Sequence, residues 1–317
     1  MSAPTRHEHR LGEGLAGRTD TVSGTCGPSA PAGPGVHVGA VIEEARATHR
    51  AVGKTFWLAS RMLPRVIRDD VHLLYLVLRT LDDAVDDAWP DATGVVGAVE
   101  DWAHGGAPTS REASIFDHLA ARYPIDPAVV ADFCAGMRDD LTPRVLVDED
   151  AVDEYCYRVA GTVGVLMTAL LGADDVDAAR RPAIALGQAM QRTNILRDID
   201  EDLANGRLYL AADTVDAFGS VAPGRRADLL RDQIARADAL YDEGLAGLHH
   251  LRSGRRAIAA AGAMYRQILR QLEREGLGEQ PGRAVVSLPR KVGAAVRVQR
   301  GLSDRAAARG RRPVARS

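Results

Sequence analysis

Between Gln191 and Leu210 the chain reads Gln-Arg-Thr-Asn-Ile-Leu-Arg-Asp-Ile-Asp-Glu-Asp-Leu-Ala-Asn-Gly-Arg-Leu-Tyr-Leu. If that stretch is helical, Asn194, Asp198 and Asp202 fall at i, i+4 and i+8, and their oxygens stack along one face with Glu201 beside them. Amide and carboxylate oxygens without His or Cys suit a hard divalent cation. Mg²⁺ is usually held by few protein carboxylates and shares its other positions with water and substrate phosphate, so the ladder predicts a phosphorylated substrate. Taken alone, the same residues also fit a solvated helix face.

A second acidic group, Asp82-Asp83-Ala84-Val85-Asp86-Asp87, closes a stretch that is otherwise almost wholly apolar. Asp82 and Asp86 lie one helical turn apart, and Tyr75 and Arg79 continue the same stripe backward. Neighbouring carboxylates repel by roughly 0.2–0.5 kcal/mol per pair on an exposed helix, and more if desolvated, so something cationic should offset them. By itself this group also reads as a solvated helix end. Two such groups on two long apolar helices favour a bundle interior with metal between them.

A third stretch, Tyr155-Cys156-Tyr157-Arg158-Val159-Ala160-Gly161-Thr162-Val163-Gly164, sets two glycines at i, i+3 inside a helical pattern. Each glycine costs about 1 kcal/mol relative to Ala, so the pair implies room for an elongated apolar ligand or a close helix crossing. Tyr155 and Tyr157 are core aromatics or, beside a groove, a π face for a cation and a hydroxyl that can move a proton.

Helices must carry all of this. Apolar residues recur at three- and four-residue spacing from about residue 37 onward. That pattern predicts helices over 38–50, 53–63, 67–88, 92–104, 112–122, 127–143, 150–171, 176–204, 223–251, 254–276 and 284–302, and no strand. Pro64, Pro90, Pro108, Pro124, Pro143 and Pro223 mark the breaks, with Gly105-Gly106, Gly172 and Gly219 in loops. There is no repeat of fixed period, and no Glu-x-x-His pairs suggest a di-iron bundle. The expectation is all-α: one large helical bundle with a central cavity over 37–302, between a flexible tail at 1–36 and a basic disordered tail at 303–317. Gly12-Glu13-Gly14-Leu15-Ala16-Gly17 matches a dinucleotide fingerprint, but no strand precedes it, so that reading fails.

A net charge of −3 over 317 residues leaves no basic field for nucleic acid. Cys26, Cys134 and Cys156 lack the spacing of a zinc site or a disulfide framework, as in a reducing cytosol. No apolar run reaches the roughly 18 residues of a membrane span, and the N-terminus has no secretory h-region. The chain is expected to be cytoplasmic, with peripheral membrane contact through the basic tail as the alternative. The pattern is silent on oligomeric state.

The three segments together resemble the signatures of the squalene/phytoene synthase family, in the expected order. Lys54-Thr55-Phe56-Trp57-Leu58-Ala59-Ser60 resembles its N-terminal diphosphate-binding segment, and Tyr265-Arg266-Gln267-Ile268-Leu269 its late Tyr helix. The resemblance runs from about Lys54 to Arg283 and is closest to bacterial phytoene synthases. It implies an isoprenoid-synthase bundle that joins two C15 or C20 allylic diphosphates head to head. Asp82, Asp86, Asn194, Asp198 and Asp202 would hold Mg²⁺, with Mn²⁺ as the alternative. Asp82, Asp86, Tyr155, Asp198, Asp202 and Tyr265 would be catalytic. Lys54, Phe56, Arg79, Gly161, Gly164, Gln191, Arg197, Arg207 and Arg283 would bind substrate. Gly278-Glu279-Gln280-Pro281-Gly282 reads as an insertion just before Arg283.

The first expectation is therefore phytoene from two geranylgeranyl diphosphates by way of prephytoene diphosphate. The alternative is squalene or dehydrosqualene from two farnesyl diphosphates, with NADPH needed only for squalene. Ser60, small and one turn past Phe56, leaves room for the longer chain. A class I terpene cyclase and a non-catalytic scaffold are the remaining readings.

Overall fold

The computed structural model describes residues 38–142 and 144–310. The tail expected at 1–36, with its fingerprint and Cys26, lies outside the described residues, as do Pro143 and 311–317. The helices are α1 (Val38–Ala51), α2 (Lys54–Ser60), α3 (Arg65–Asp86), α4 (Ala92–Ala103), α5 (Arg111–Ala120), α6 (Pro127–Leu141), α7 (Glu149–Cys156), α8 (Thr162–Leu171), α9 (Val176–Ala204), α10 (Ala212–Phe218), α11 (Ala227–Ala246), α12 (Arg255–Arg274) and α13 (Leu288–Gly310). Among the described residues there is no strand, only an isolated antiparallel bridge between Ala173 and Leu251. The fold class is all-α, as the periodicity requires.

Local chemistry sets the starts. The side chains of Ser110, Asp126, Asp148 and Asp175 accept backbone N–H bonds at the first turns of α5, α6, α7 and α9, each such cap contributing about 1 kcal/mol. Pro64 sets the entry to α3. That helix is central: Leu73, Leu74, Leu78 and Leu81 are almost wholly buried, each contributing about 1.5–3 kcal/mol. α9 packs most extensively on α11, while α13 covers α12.

Three departures from the periodicity matter. The helix expected over 150–171 is interrupted by a π-helical turn, Tyr157–Gly161, between α7 and α8. A short helix, α10, lies where no helix was expected, and the segment expected to be helical from 223 begins only at Ala227. The last helix continues to Gly310, past the expected boundary at 302 into the predicted basic tail.

Candidate active site

α3 and α9 bring the two acidic groups to one end of the bundle and finish there in the same way. After α3, Ala88 N–H bonds Val85 O at 3.2 Å and Trp89 N–H bonds Ala84 O at 2.9 Å. After α9, Gly206 N–H bonds Leu203 O at 3.0 Å and Arg207 N–H bonds Asp202 O at 2.8 Å. Both are Schellman closures, which need a left-handed residue. Gly206 supplies it freely at φ +72°, whereas Ala88 holds φ +48° at a cost of about 1–2 kcal/mol. The second closure turns Arg207 back across the gap, with Nη1 3.5 Å from Asp86 Oδ1 on α3.

Arginine is the cation that the crowded carboxylates called for. Arg79, 6% exposed, pairs with Asp82 at 3.3 Å and with Asp83. Burial opposes its charge, but these carboxylates outweigh burial and raise its pKa. Arg197 grips its neighbour Asp198 with Nε 2.9 Å from Oδ1 and Nη2 2.6 Å from Oδ2. Its pKa too is raised, because Asp198 more than compensates for complete burial. Arg283, from the segment after α12, places Nε 3.0 Å from Asp198 Oδ1. The Asp83 carboxyl is raised by burial, although Arg79 pulls it down.

Beyond this charged mouth lies apolar space. A cavity of about 920 Å³, partly open to solvent, is lined by Phe56, Gly164, Met190, Gln191, Asn194 and Tyr265 among others. The Tyr265 hydroxyl donates to Asn194 Oδ1 at 2.5 Å, and Asn194 Nδ2 donates to Gln191 Oε1 at 3.2 Å. The Phe56 and Tyr265 rings lie 5.5 Å apart. A second limb of about 630 Å³ shares Phe56, Val163 and Met167 with the first and continues past Ser60 to Tyr75 and His49. Ser60 donates its hydroxyl to Trp57 O at 2.8 Å, so it presents no unmet polar group to this limb. Behind the limb, His49 stacks on Tyr75 at 4.0 Å and meets His72 with Nδ1 atoms 2.8 Å apart. Burial lowers His49 to about 3 and His72 to about 4.

Most of the residues singled out in the sequence converge here, and some do not. Gly164 lines the cavity and also permits a close crossing, since a Cβ would overlap the Ala183 carbonyl. Gly161 lies in that crossing, against Tyr157 and Ile184. Lys54 is exposed at the start of α2. Tyr155 is buried beside a separate chamber that Arg207 also lines, and is not among the residues of the apolar cavity. Its hydroxyl donates to Asp140 at 3.3 Å and its ring stacks on Tyr209 at 5.0 Å. Sequence reasoning missed Asp140 and Tyr209, although Tyr209 stands only seven residues past Asp202.

The donor set suits a hard divalent ion. Among the described residues no three His, Cys, Asp or Glu side chains converge as a ready-made metal cage. Asp86 Oδ2 is buried with no hydrogen-bond partner among the described residues, an oxygen open to such an ion.

Comparison with known proteins bears on this geometry. Residues 49–290 match the family model described as squalene/phytoene synthase. The chain is similar to a phytoene synthase of Thermus thermophilus, 39% identical over 238 residues that cover 72% of this chain and 81% of that protein. It is also similar to a 15-cis-phytoene synthase of Synechocystis, 31% identical over 84% of this chain and 86% of that one. A solved dehydrosqualene synthase in complex with ligand superposes with a TM-score of 0.78 at 27% identity, covering 84% of this chain and 98% of the other. Among the described residues no helix is long and apolar enough to cross a membrane.

Proposed function

The chain belongs to the squalene/phytoene synthase family and is a prenyltransferase of the isoprenoid synthase fold; from that premise we propose that it condenses two geranylgeranyl diphosphates head to head into phytoene. The first diphosphate leaves with the C–O bonding electrons, and the second substrate's allylic double bond attacks the resulting cation. Loss of a proton closes prephytoene diphosphate, a cyclopropylcarbinyl ester. Departure of its diphosphate, rearrangement and loss of a second proton give phytoene with no hydride donor.

Asp82 and Asp86 on one wall, with Asn194, Asp198 and Asp202 on the other, would hold Mg²⁺, or Mn²⁺ in its place, which supplies positive charge to the leaving diphosphate. The chain's own residues do the rest. Arg79, Arg207 and Arg283 balance the carboxylates at the mouth and turn to phosphate oxygens, where charge-assisted hydrogen bonds are strong. Arg197, locked to Asp198, holds that carboxylate in place. Phe56 and Tyr265 offer ring faces to the cation, and the apolar walls exclude the water that would quench it.

One observation carries this reading: Asn194 belongs both to the acidic ladder and to the cavity wall, so the ladder opens directly into apolar space. Ser60 at the second limb supports the C20 substrate over C15. The likeness to a dehydrosqualene synthase favours two farnesyl diphosphates as the second reading. Incubation with C15 or C20 diphosphate and Mg²⁺, with and without NADPH, and mass spectrometry of the hydrocarbon decides between them. Phytoene without NADPH is expected; a C30 hydrocarbon as the sole product, or a cyclic one, overturns the proposal.

A further inference from the structure

The segment that carries Arg283 to the cavity mouth has little regular structure to set its path. α12 closes on Gly276, with Leu277 N–H returning to Leu272 O at 2.8 Å. Positive φ then follows at Leu277 (+56°), Gly278 (+75°) and Gly282 (+127°). Glycines leave such a segment many conformations, so its course has to be fixed by bonds to the rest of the molecule.

Those bonds converge on Asp200. It lies two residues beyond Asp198, about 200° further round α9, and so points away from the cavity. Arg226, 4% exposed at the entry to α11, donates Nη1 to Asp200 Oδ1 at 2.6 Å and Nη2 to Oδ2 at 2.7 Å. Nη1 also donates to Val221 O at 3.1 Å. Gly282 N–H donates to the same carboxylate at 2.8 Å, and Gly224 N–H to Gly278 O at 2.9 Å. Gly278 leaves the space that the guanidinium fills, since a Cβ there would overlap Arg226 Nε. The very next residue after Gly282 is Arg283, 3.0 Å from Asp198. Consecutive residues of the segment thus hold α9 at two places, Gly282 at Asp200 and Arg283 at Asp198.

We propose that Asp200 and Arg226 are positioning residues: an ion pair behind α9 that fixes the register of residues 276–283 so that Arg283 meets Asp198 and the diphosphate arriving beside it. Neither touches the substrate. The proposal rests on the reading of Arg283 as a diphosphate ligand.

The test is calorimetric titration of the full chain with inorganic pyrophosphate and Mg²⁺, for wild type, Asp200→Ala, Arg283→Ala and the double variant, with thermal midpoints measured alongside. Asp200→Ala and Arg283→Ala are each expected to weaken binding about tenfold, as for loss of a charged hydrogen bond. The double variant is then expected to bind no more weakly than Arg283→Ala, because both changes remove one interaction. Asp200→Asn, which keeps an acceptor for Gly282, is expected to fall between wild type and Asp200→Ala. Losses that multiply in the double variant, or wild-type affinity in Asp200→Ala, overturn the positioning role while leaving Arg283 as a ligand. Wild-type affinity in Arg283→Ala overturns both. If Asp200→Ala does not fold, Gly278→Ala disturbs the joint from its other side and enters the same cycle.

Discussion

The Tyr265 hydroxyl donates to Asn194 Oδ1 at 2.5 Å, tying the late Tyr helix α12 to the acidic ladder of α9 inside the cavity wall. This bond fixes which way the Asn194 amide faces. Its nitrogen is turned to Gln191, leaving oxygen toward Tyr265. Tyr265→Phe keeps the ring and removes the donor. It is expected to cost about 1 kcal/mol of stability by urea titration, and to lower turnover more than it raises KM.

Asp82→Asn and Asp198→Asn test the two walls while keeping side-chain shape. Asp198→Ala is the poorer choice, since it removes both oxygens that the fully buried Arg197 bonds, at about 3–5 kcal/mol, whereas Asn keeps one acceptor. Each Asn variant is expected to lose at least about a hundredfold in turnover with unchanged helix content by circular dichroism. Mg²⁺ with pyrophosphate should raise the melting temperature of wild type and leave that of Asp82→Asn nearly unmoved.

The buried His49–His72 pair gives stability a pH dependence. Its folded-state values, about 3 and 4, lie below the unfolded value of about 6.5. The unfolded chain therefore binds more protons between these limits. Stability is fully present above about pH 6.5 and falls as pH drops toward 4, by up to about 1.4 kcal/mol per pH unit for each histidine. Urea titrations from pH 7 to 4.5 should show a shallower slope in His72→Leu.

Gly164→Ala and Gly187→Ala should destabilise, reversing the usual effect of alanine in a helix. Propensity alone favours Ala by about 1 kcal/mol. Here the new Cβ overlaps the backbone carbonyl of Ala183 or of Ala160, which cannot swing away, and overpacking costs about 1–3 kcal/mol. The midpoint of urea unfolding should move to lower concentration for both.

Ser60→Phe is expected to fill the second limb and to reduce turnover of the C20 diphosphate more than that of C15. Parallel kcat/KM measurements on the two substrates check this. An equal loss on both would remove Ser60 from any role in chain length.

The acidic walls were legible because their logic is local: Asp82 and Asp86, or Asn194, Asp198 and Asp202, share a face by helical spacing alone. The α7–α8 break was not, because an extra residue in the π turn at Tyr157–Gly161 changes the register without changing composition. That turn lies between Tyr155, at the separate chamber, and Gly164, in the apolar cavity. α10 carries only Val215 and Phe218 as large apolar residues, too few for a periodic signal. Asp200 looked like one more acid in a run, and its partner Arg226 is 26 residues away, so only the folded chain brings the two together.

Counting inorganic pyrophosphate against hydrocarbon tests the central claim most directly. With Mg²⁺ and geranylgeranyl diphosphate, and no NADPH, two pyrophosphates should appear for each phytoene formed. One pyrophosphate for each hydrocarbon, with a C20 product, would contradict head-to-head condensation.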